Sequence, residues 1–128
     1  MKPIDSIEGL HLMANLYGCG GSDNLLGSAE ALRDFCLAQV SLANLTPVGE
    51  CFHQFGGSEG AAGGATGVVI LAESHVSIHT WPEKRFVTLD VFICNMNCDN
   101  RAKAHALFDH LVAAFEPEEK RYYQVERY

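Results

Sequence analysis

Three stretches of this 128-residue chain carry apolar residues at every second position, so that in each an apolar set shares one side. Leu10, Leu12, Ala14 and Leu16 interleave with His11, Met13, Asn15 and Tyr17. Val76, Ile78 and Thr80 interleave with His75, Ser77, His79 and Trp81, and Val87, Leu89, Val91 and Ile93 share one side of 86–94. Side chains alternate between the two faces of a strand, so this pattern demands a sheet with one face on a core and the other face different in chemistry.

The core needs a second layer, and the helical stretches supply it. From about Asn24 to Leu42, Leu25, Ala29, Leu32, Cys36 and Val40 recur at helical spacing, with Asp23 as the expected N-cap and Pro47 beyond the end. A second helix, capped by Asp99 or Asn100 and stopped by Pro117, carries the stripe Ala104, Leu107, Phe108, Leu111 and Phe115. Val48 to Phe55 and Val68 to Leu71 read as further strands, and Tyr122 to Tyr128 as a last short one. Gly56 to Gly64, nearly all Gly, Ala and Ser, reads as a mobile loop that packs almost nothing. The order β-α-β-β-β-α-β predicts an α+β fold, a two-layer α/β sandwich with two helices on one face of a largely antiparallel sheet. The chain is expected to form a single domain, residues 1–128, without an internal repeat.

Composition narrows the function. A formal net charge of −7 leaves no basic stripe to neutralise phosphates, so nucleic acid is not an expected partner, whereas a cationic ligand is compatible. No apolar stretch is longer than Val68 to Ala72, which is far too short to span a bilayer. Met1-Lys2-Pro3-Ile4-Asp5 lacks the apolar core of a signal peptide, which makes the cytoplasm the expected address. The five cysteines are odd in number and lack paired zinc spacing, so free thiols and no metal site are expected.

The run Glu73-Ser74-His75-Val76-Ser77-Ile78-His79-Thr80-Trp81-Pro82-Glu83 sets a hydroxyl nucleophile and two imidazoles in one strand-like stretch. By periodicity alone it is equally the polar outer face of a half-buried strand. It resembles the self-cleavage segment of the prokaryotic S-adenosylmethionine decarboxylase proenzymes. Gly9-Leu10-His11-Leu12 with Leu16-Tyr17-Gly18-Cys19, Phe52-His53-Gln54-Phe55, Thr66-Gly67-Val68-Val69 and Asp90-Val91-Phe92-Ile93-Cys94 are similar to that family's other landmarks and occur in its order.

The resemblance implies a lyase that makes its own pyruvoyl cofactor from Ser74. Cleavage between Glu73 and Ser74 would leave a β chain, 1–73, and an α chain, 74–128. Decarboxylating an α-amino acid leaves an electron pair on carbon, and a pyruvoyl group can hold it through a Schiff base with the substrate amine, as pyridoxal phosphate does elsewhere. By the same resemblance His79 is the acid/base of processing, Thr66 its support, and Cys94 the proton donor in catalysis. Phe55 and Trp81 would hold the adenine and sulfonium of S-adenosylmethionine, and Glu83 the ribose hydroxyls. The product would be the aminopropyl donor of spermidine and polyamine biosynthesis, and the processed protomers a homodimer.

Two departures from the family stand out: the Gly-rich segment is longer than its usual link, and Asn15 stands where many relatives carry an acid. Two other readings remain open. One keeps the pyruvoyl group but decarboxylates arginine or ornithine, for which Phe55, Trp81 and Glu83 would not be required. The other is an unprocessed, non-enzymatic homologue that binds a nucleoside-like ligand or regulates a partner.

Overall fold

The computed structural model describes residues 8–58, 60, 62–95 and 98–127. Strand β1 (Gly9–Tyr17) leads through helices α1 (Asp23–Gly27) and α2 (Ala29–Leu42) to β2 (Pro47–Gln54). Then come β3 (Ala65–Leu71), β4 (Ser74–Trp81), a 3-10 turn (Pro82–Lys84), β5 (Phe86–Cys94), α3 (Arg101–Ala114) and β6 (Glu119–Arg127). The strands form one sheet in the order β2-β3-β4-β5-β1-β6, every neighbouring pair antiparallel. The expected sandwich is therefore the observed one.

The period-two pattern sets the layers. Leu10, Leu12, Ala14 and Leu16 of β1, Val76 and Ile78 of β4, and Val87, Leu89, Val91 and Ile93 of β5 are all buried on the helix side. They join Leu32, Cys36 and Val40 of α2 and Ala104, Leu107, Phe108 and Leu111 of α3 in one core. Burial pushes the Cys36 thiol up to about 12, so it behaves there as a small hydrophobe. Among the described residues no helix covers the opposite face of the sheet. Ile70, Trp81, Tyr123 and Val125 are exposed there.

The single helix expected over 24–42 is two helices, because Ser28 is extended (φ −128°, ψ 114°) and starts a new one. Its Oγ accepts from the Ala31 amide at 3.1 Å, while its own N–H donates to the Asn24 carbonyl that ends α1. Ser28 is an N-cap signal set within an unbroken apolar spacing. Asp23 is not the cap but the first helical residue; Ser22 caps α1 through its Oγ to the Asn24 amide. At the second helix Asn100 occupies the cap position without a side-chain cap bond, and Asp99 Oδ1 accepts from the Arg101 amide. Strand β2 ends one residue short of Phe55, β3 starts at Ala65 and β6 at Glu119, whereas Tyr128 and Met1–Asp5 lie outside the described residues.

Candidate active site

Strand β4 is paired on both sides, and its register decides what meets what. Thr66 of β3 lies directly opposite His79, and Thr66 Oγ1 is 3.0 Å from His79 Nδ1. On the same face Trp81 stacks obliquely 5.2 Å from Phe86 and 6.1 Å from the His79 ring. Beyond Trp81 the 3-10 turn carries Glu83, and Arg85 closes it with a left-handed φ of 47°. Arg85 fixes that turn by donating from Nε to the Cys19 carbonyl and by pairing Nη1 with Asp23 Oδ1 at 3.0 Å. Cys19 is buried, which raises its thiol; the nearby Arg85 charge offsets part of that rise.

The Gly-rich loop completes a cavity of about 490 Å³ lined by Phe55, Thr66, His79, Trp81 and Glu83. That volume lies in the ordinary range for small-molecule sites. Hydrogen bonds tie the two ends of the loop together at its base. Gln54 Oε1 accepts from the Ala29 amide at 2.7 Å, and its Nε2 donates to the carbonyls of Phe55, Gly63 and Gly64, each at 3.2 Å. Thr80, buried, accepts from the Ala65 amide and donates to the Leu26 carbonyl. Gln54 and Thr80 are thus site-shaping residues that motif reasoning missed, since their roles depend on partners 25 and 54 residues away.

Gly64 is required by space, for a Cβ there would overlap the Thr80 carbonyl oxygen. Gly64→Ala is expected to lose about 1–3 kcal/mol of folding stability, the usual cost of forcing a methyl into packed surroundings. Urea denaturation checks this, with Gly56→Ala, where a Cβ meets open space, as the control.

A second group occupies one end of the sheet. Leu71 pairs with Ser74 across the hairpin, and Glu73 at its tip has φ 58°, a left-handed conformation that non-glycine residues rarely adopt. Ser74 Oγ accepts from the Cys94 amide at 2.9 Å. The Cys94 thiol, buried, lies 3.9 Å from Glu73 Oε2. Glu73, Ser74 and Cys94 line a cleft of about 290 Å³.

The eight expected site residues therefore form two groups within one chain. Phe55, Thr66, His79, Trp81 and Glu83 share one cavity, and Glu73, Ser74 and Cys94 share the other. Ser74 and His79 stand five positions apart on β4, about 17 Å of extended strand. The strand alternation also gives the two side chains opposite parity. His79 does not reach Ser74 within the chain.

Between the groups, on the open face, lies a polar cluster that sequence reasoning left unassigned. Asp90 Oδ1 is 3.4 Å from His11 Nε2, and Asp90 Oδ2 accepts from Ser77 Oγ at 3.3 Å. The His11 and His75 rings are 6.4 Å apart. Partial burial lowers the His75 pKa, helped by the charges of His11 and Arg127 and opposed by Asp90. Below the ordinary value of about 6.5, the unfolded chain takes up this proton before the folded one does. Stability from this group is therefore full above that pH and declines as pH falls through the window beneath it. Urea denaturation at about pH 7.5 and about pH 5.5 should show a loss on acidification that is smaller in His75→Gln.

Fold and site together define a two-layer α+β protein with a serine and a buried cysteine at a hairpin corner and a separate aromatic cavity. The family model described as S-adenosylmethionine decarboxylase matches residues 10–128. The S-adenosylmethionine decarboxylase proenzyme of Archaeoglobus fulgidus is 39% identical over 121 residues, covering 94% of this chain and 98% of the relative. The proenzyme of Aquifex aeolicus is 38% identical over 109 residues, 85% of this chain and 73% of the relative. A solved structure, the crystal structure of the adenosylmethionine decarboxylase from Aquifex aeolicus, superposes with a TM-score of 0.78 at 35% identity, covering 94% of this chain and 91% of that one. The chain belongs to the S-adenosylmethionine decarboxylase family, and with that membership goes a decarboxylase-type function. Among the described residues no helix is long and apolar enough to cross a membrane, and no cluster of His, Cys, Asp and Glu could hold a metal.

Proposed function

We propose that this chain is a self-processing, pyruvoyl-dependent decarboxylase of S-adenosylmethionine. The observation that carries the proposal is the hairpin corner, where a serine follows a glutamate held in a left-handed conformation and touches the strand end that bears a buried cysteine. A residue held at such a φ costs about 1–3 kcal/mol, and relief of that strain favours rearrangement of the adjoining peptide.

In processing, Ser74 Oγ bonds to the Glu73 carbonyl carbon as the Glu73–Ser74 amide C–N bond breaks, giving an ester. Loss of the Ser74 α-proton with departure of the Glu73 carboxylate divides the chain, and hydrolytic loss of ammonia leaves the pyruvoyl terminus. The corner fits that group, because the Cys94 amide already donates to the Ser74 side chain. Once formed, the pyruvoyl group supplies the electron sink for the carbon that loses carbon dioxide. Cys94 Sγ holds the proton that this carbon then needs. Phe55 and Trp81 provide aromatic faces for adenine and for the sulfonium, the latter worth roughly 0.5–2 kcal/mol, and Glu83 provides acceptors for ribose hydroxyls. The product is decarboxylated S-adenosylmethionine, the aminopropyl donor for spermidine.

The separation of His79 from Ser74 is the reason to propose a homodimer of processed protomers. The uncovered sheet face, with Ile70, Trp81, Tyr123 and Val125 exposed, is what a second copy would bury. The cavity of one protomer could then serve the hairpin corner of its partner. The decisive assay supplies carboxyl-labelled S-adenosylmethionine, arginine and ornithine in parallel, with intact mass read on the same sample. Labelled carbon dioxide from S-adenosylmethionine alone is expected. Release from either amino acid instead, or a persistently uncut chain without release, would overturn the proposal.

A further inference from the structure

We propose that Cys94 and Cys98 form a reversible disulfide, making the hairpin corner a site of thiol oxidation. Its effect on turnover rests on the role given to Cys94 above; the bond itself does not.

Both cysteines line the cleft that holds Ser74, one buried and the other exposed. A single carboxamide spans them: the Cys98 thiol donates to Asn100 Oδ1 at 3.2 Å, and Asn100 Nδ2 donates to the Cys94 carbonyl at 3.0 Å. The Asn100 amide also donates to Asn95 Oδ1 at 2.8 Å, which ties the residue next to Cys94 to the residue two past Cys98. The described geometry thus keeps a solvent-facing thiol beside the backbone of a buried one. Closing the bond requires Cα atoms within roughly 4.4–6.8 Å and the loss of the Cys98 to Asn100 contact.

The remaining cysteines make this pair distinctive. Cys19 and Cys36 are buried with raised pKa values. Cys51 is exposed but lies on β2, at the edge of the sheet. It serves as a built-in control for solvent-driven oxidation without a neighbour.

The oxidant is a peroxide. The exposed Cys98 thiolate attacks the peroxide O–O bond, forming a sulfenic acid and releasing water or an alcohol. The Cys94 thiolate then attacks that sulfur and displaces hydroxide, which leaves as water after protonation. Two thiols give up two electrons and two protons to the peroxide, and one S–S bond forms. With its sulfur in that bond, Cys94 has no proton to deliver. A dithiol reverses the change.

The test treats purified wild-type protein with equimolar hydrogen peroxide, alkylates the remaining thiols, and maps cysteines by peptide mass spectrometry. The expected product lacks the mass of two hydrogens and is unalkylated at Cys94 and Cys98. Carbon dioxide release should fall in proportion to the crosslinked fraction and return with dithiothreitol, whereas Cys98→Ser should never yield the crosslink. The proposal is overturned if both residues remain alkylatable while Cys51 oxidises, or if the mass loss persists in Cys98→Ser. Retained turnover in the crosslinked protein would overturn the switch. A crosslink in protein that never turns over S-adenosylmethionine when reduced would instead count against the assigned activity and leave the disulfide standing.

Discussion

Ser74→Ala is expected to leave the purified protein as one intact chain of 14.0 kDa, where the wild type separates on denaturation into residues 1–73 and 74–128. No Oγ remains to carry the acyl group, so the effect is complete rather than graded. The variant should still fold. It removes the Ser74 Oγ that accepts from the Cys94 amide, a hydrogen bond whose loss costs about 1–3 kcal/mol, against a total near 5–15 kcal/mol for domains of this kind. Intact mass and circular dichroism on one preparation separate the two effects. Fragments in the Ser74→Ala protein would sink the cleavage chemistry outright.

The second large effect concerns where the processing imidazole comes from. With about 17 Å of strand between Ser74 and His79, assistance within one chain is geometrically excluded, and a partner must bring the imidazole if it takes part. His79→Ala alone is expected to cleave far more slowly than wild type. Co-expressed with Ser74→Ala, it should cleave again, because each mixed dimer pairs an intact Ser74 from one chain with an intact His79 from the other. The cut fragments should derive only from the His79→Ala chain, which a tag on one of the two variants makes plain. No recovery in verified mixed dimers would remove His79 from the chemistry of a partner's Ser74.

Much of the fold was legible because strand alternation is a local signal. The β5 boundaries, Phe86 and Cys94, and the buried set of β1 follow directly from residues two apart. The break at Ser28 was hidden because the apolar spacing runs on unbroken through Leu25, Ala29 and Leu32, and only the serine's own capping bond divides the helices. At the site, motifs identified residue types but not their company. Thr66 and His79 lie 13 residues apart and meet through register, while Ser74 and His79, five apart, are kept separate by an extended strand. Gln54 was invisible for a related reason: a glutamine before a glycine-rich stretch has no meaning until the carbonyls of Gly63 and Gly64 come back to it.

The strand order has a further consequence for a chain cut at Ser74. Fragment 1–73 contributes β1, β2 and β3, and fragment 74–128 contributes β4, β5 and β6, yet β1 sits between β5 and β6. The two pieces are interwoven rather than merely adjacent, so the sheet holds them together with ladders on both sides of β1. After cutting, the folded state is unchanged in topology, but the unfolded state becomes two separate molecules. Regaining the fold is then a second-order event whose success depends on concentration, and loss of structure in dilute solution becomes effectively one-way.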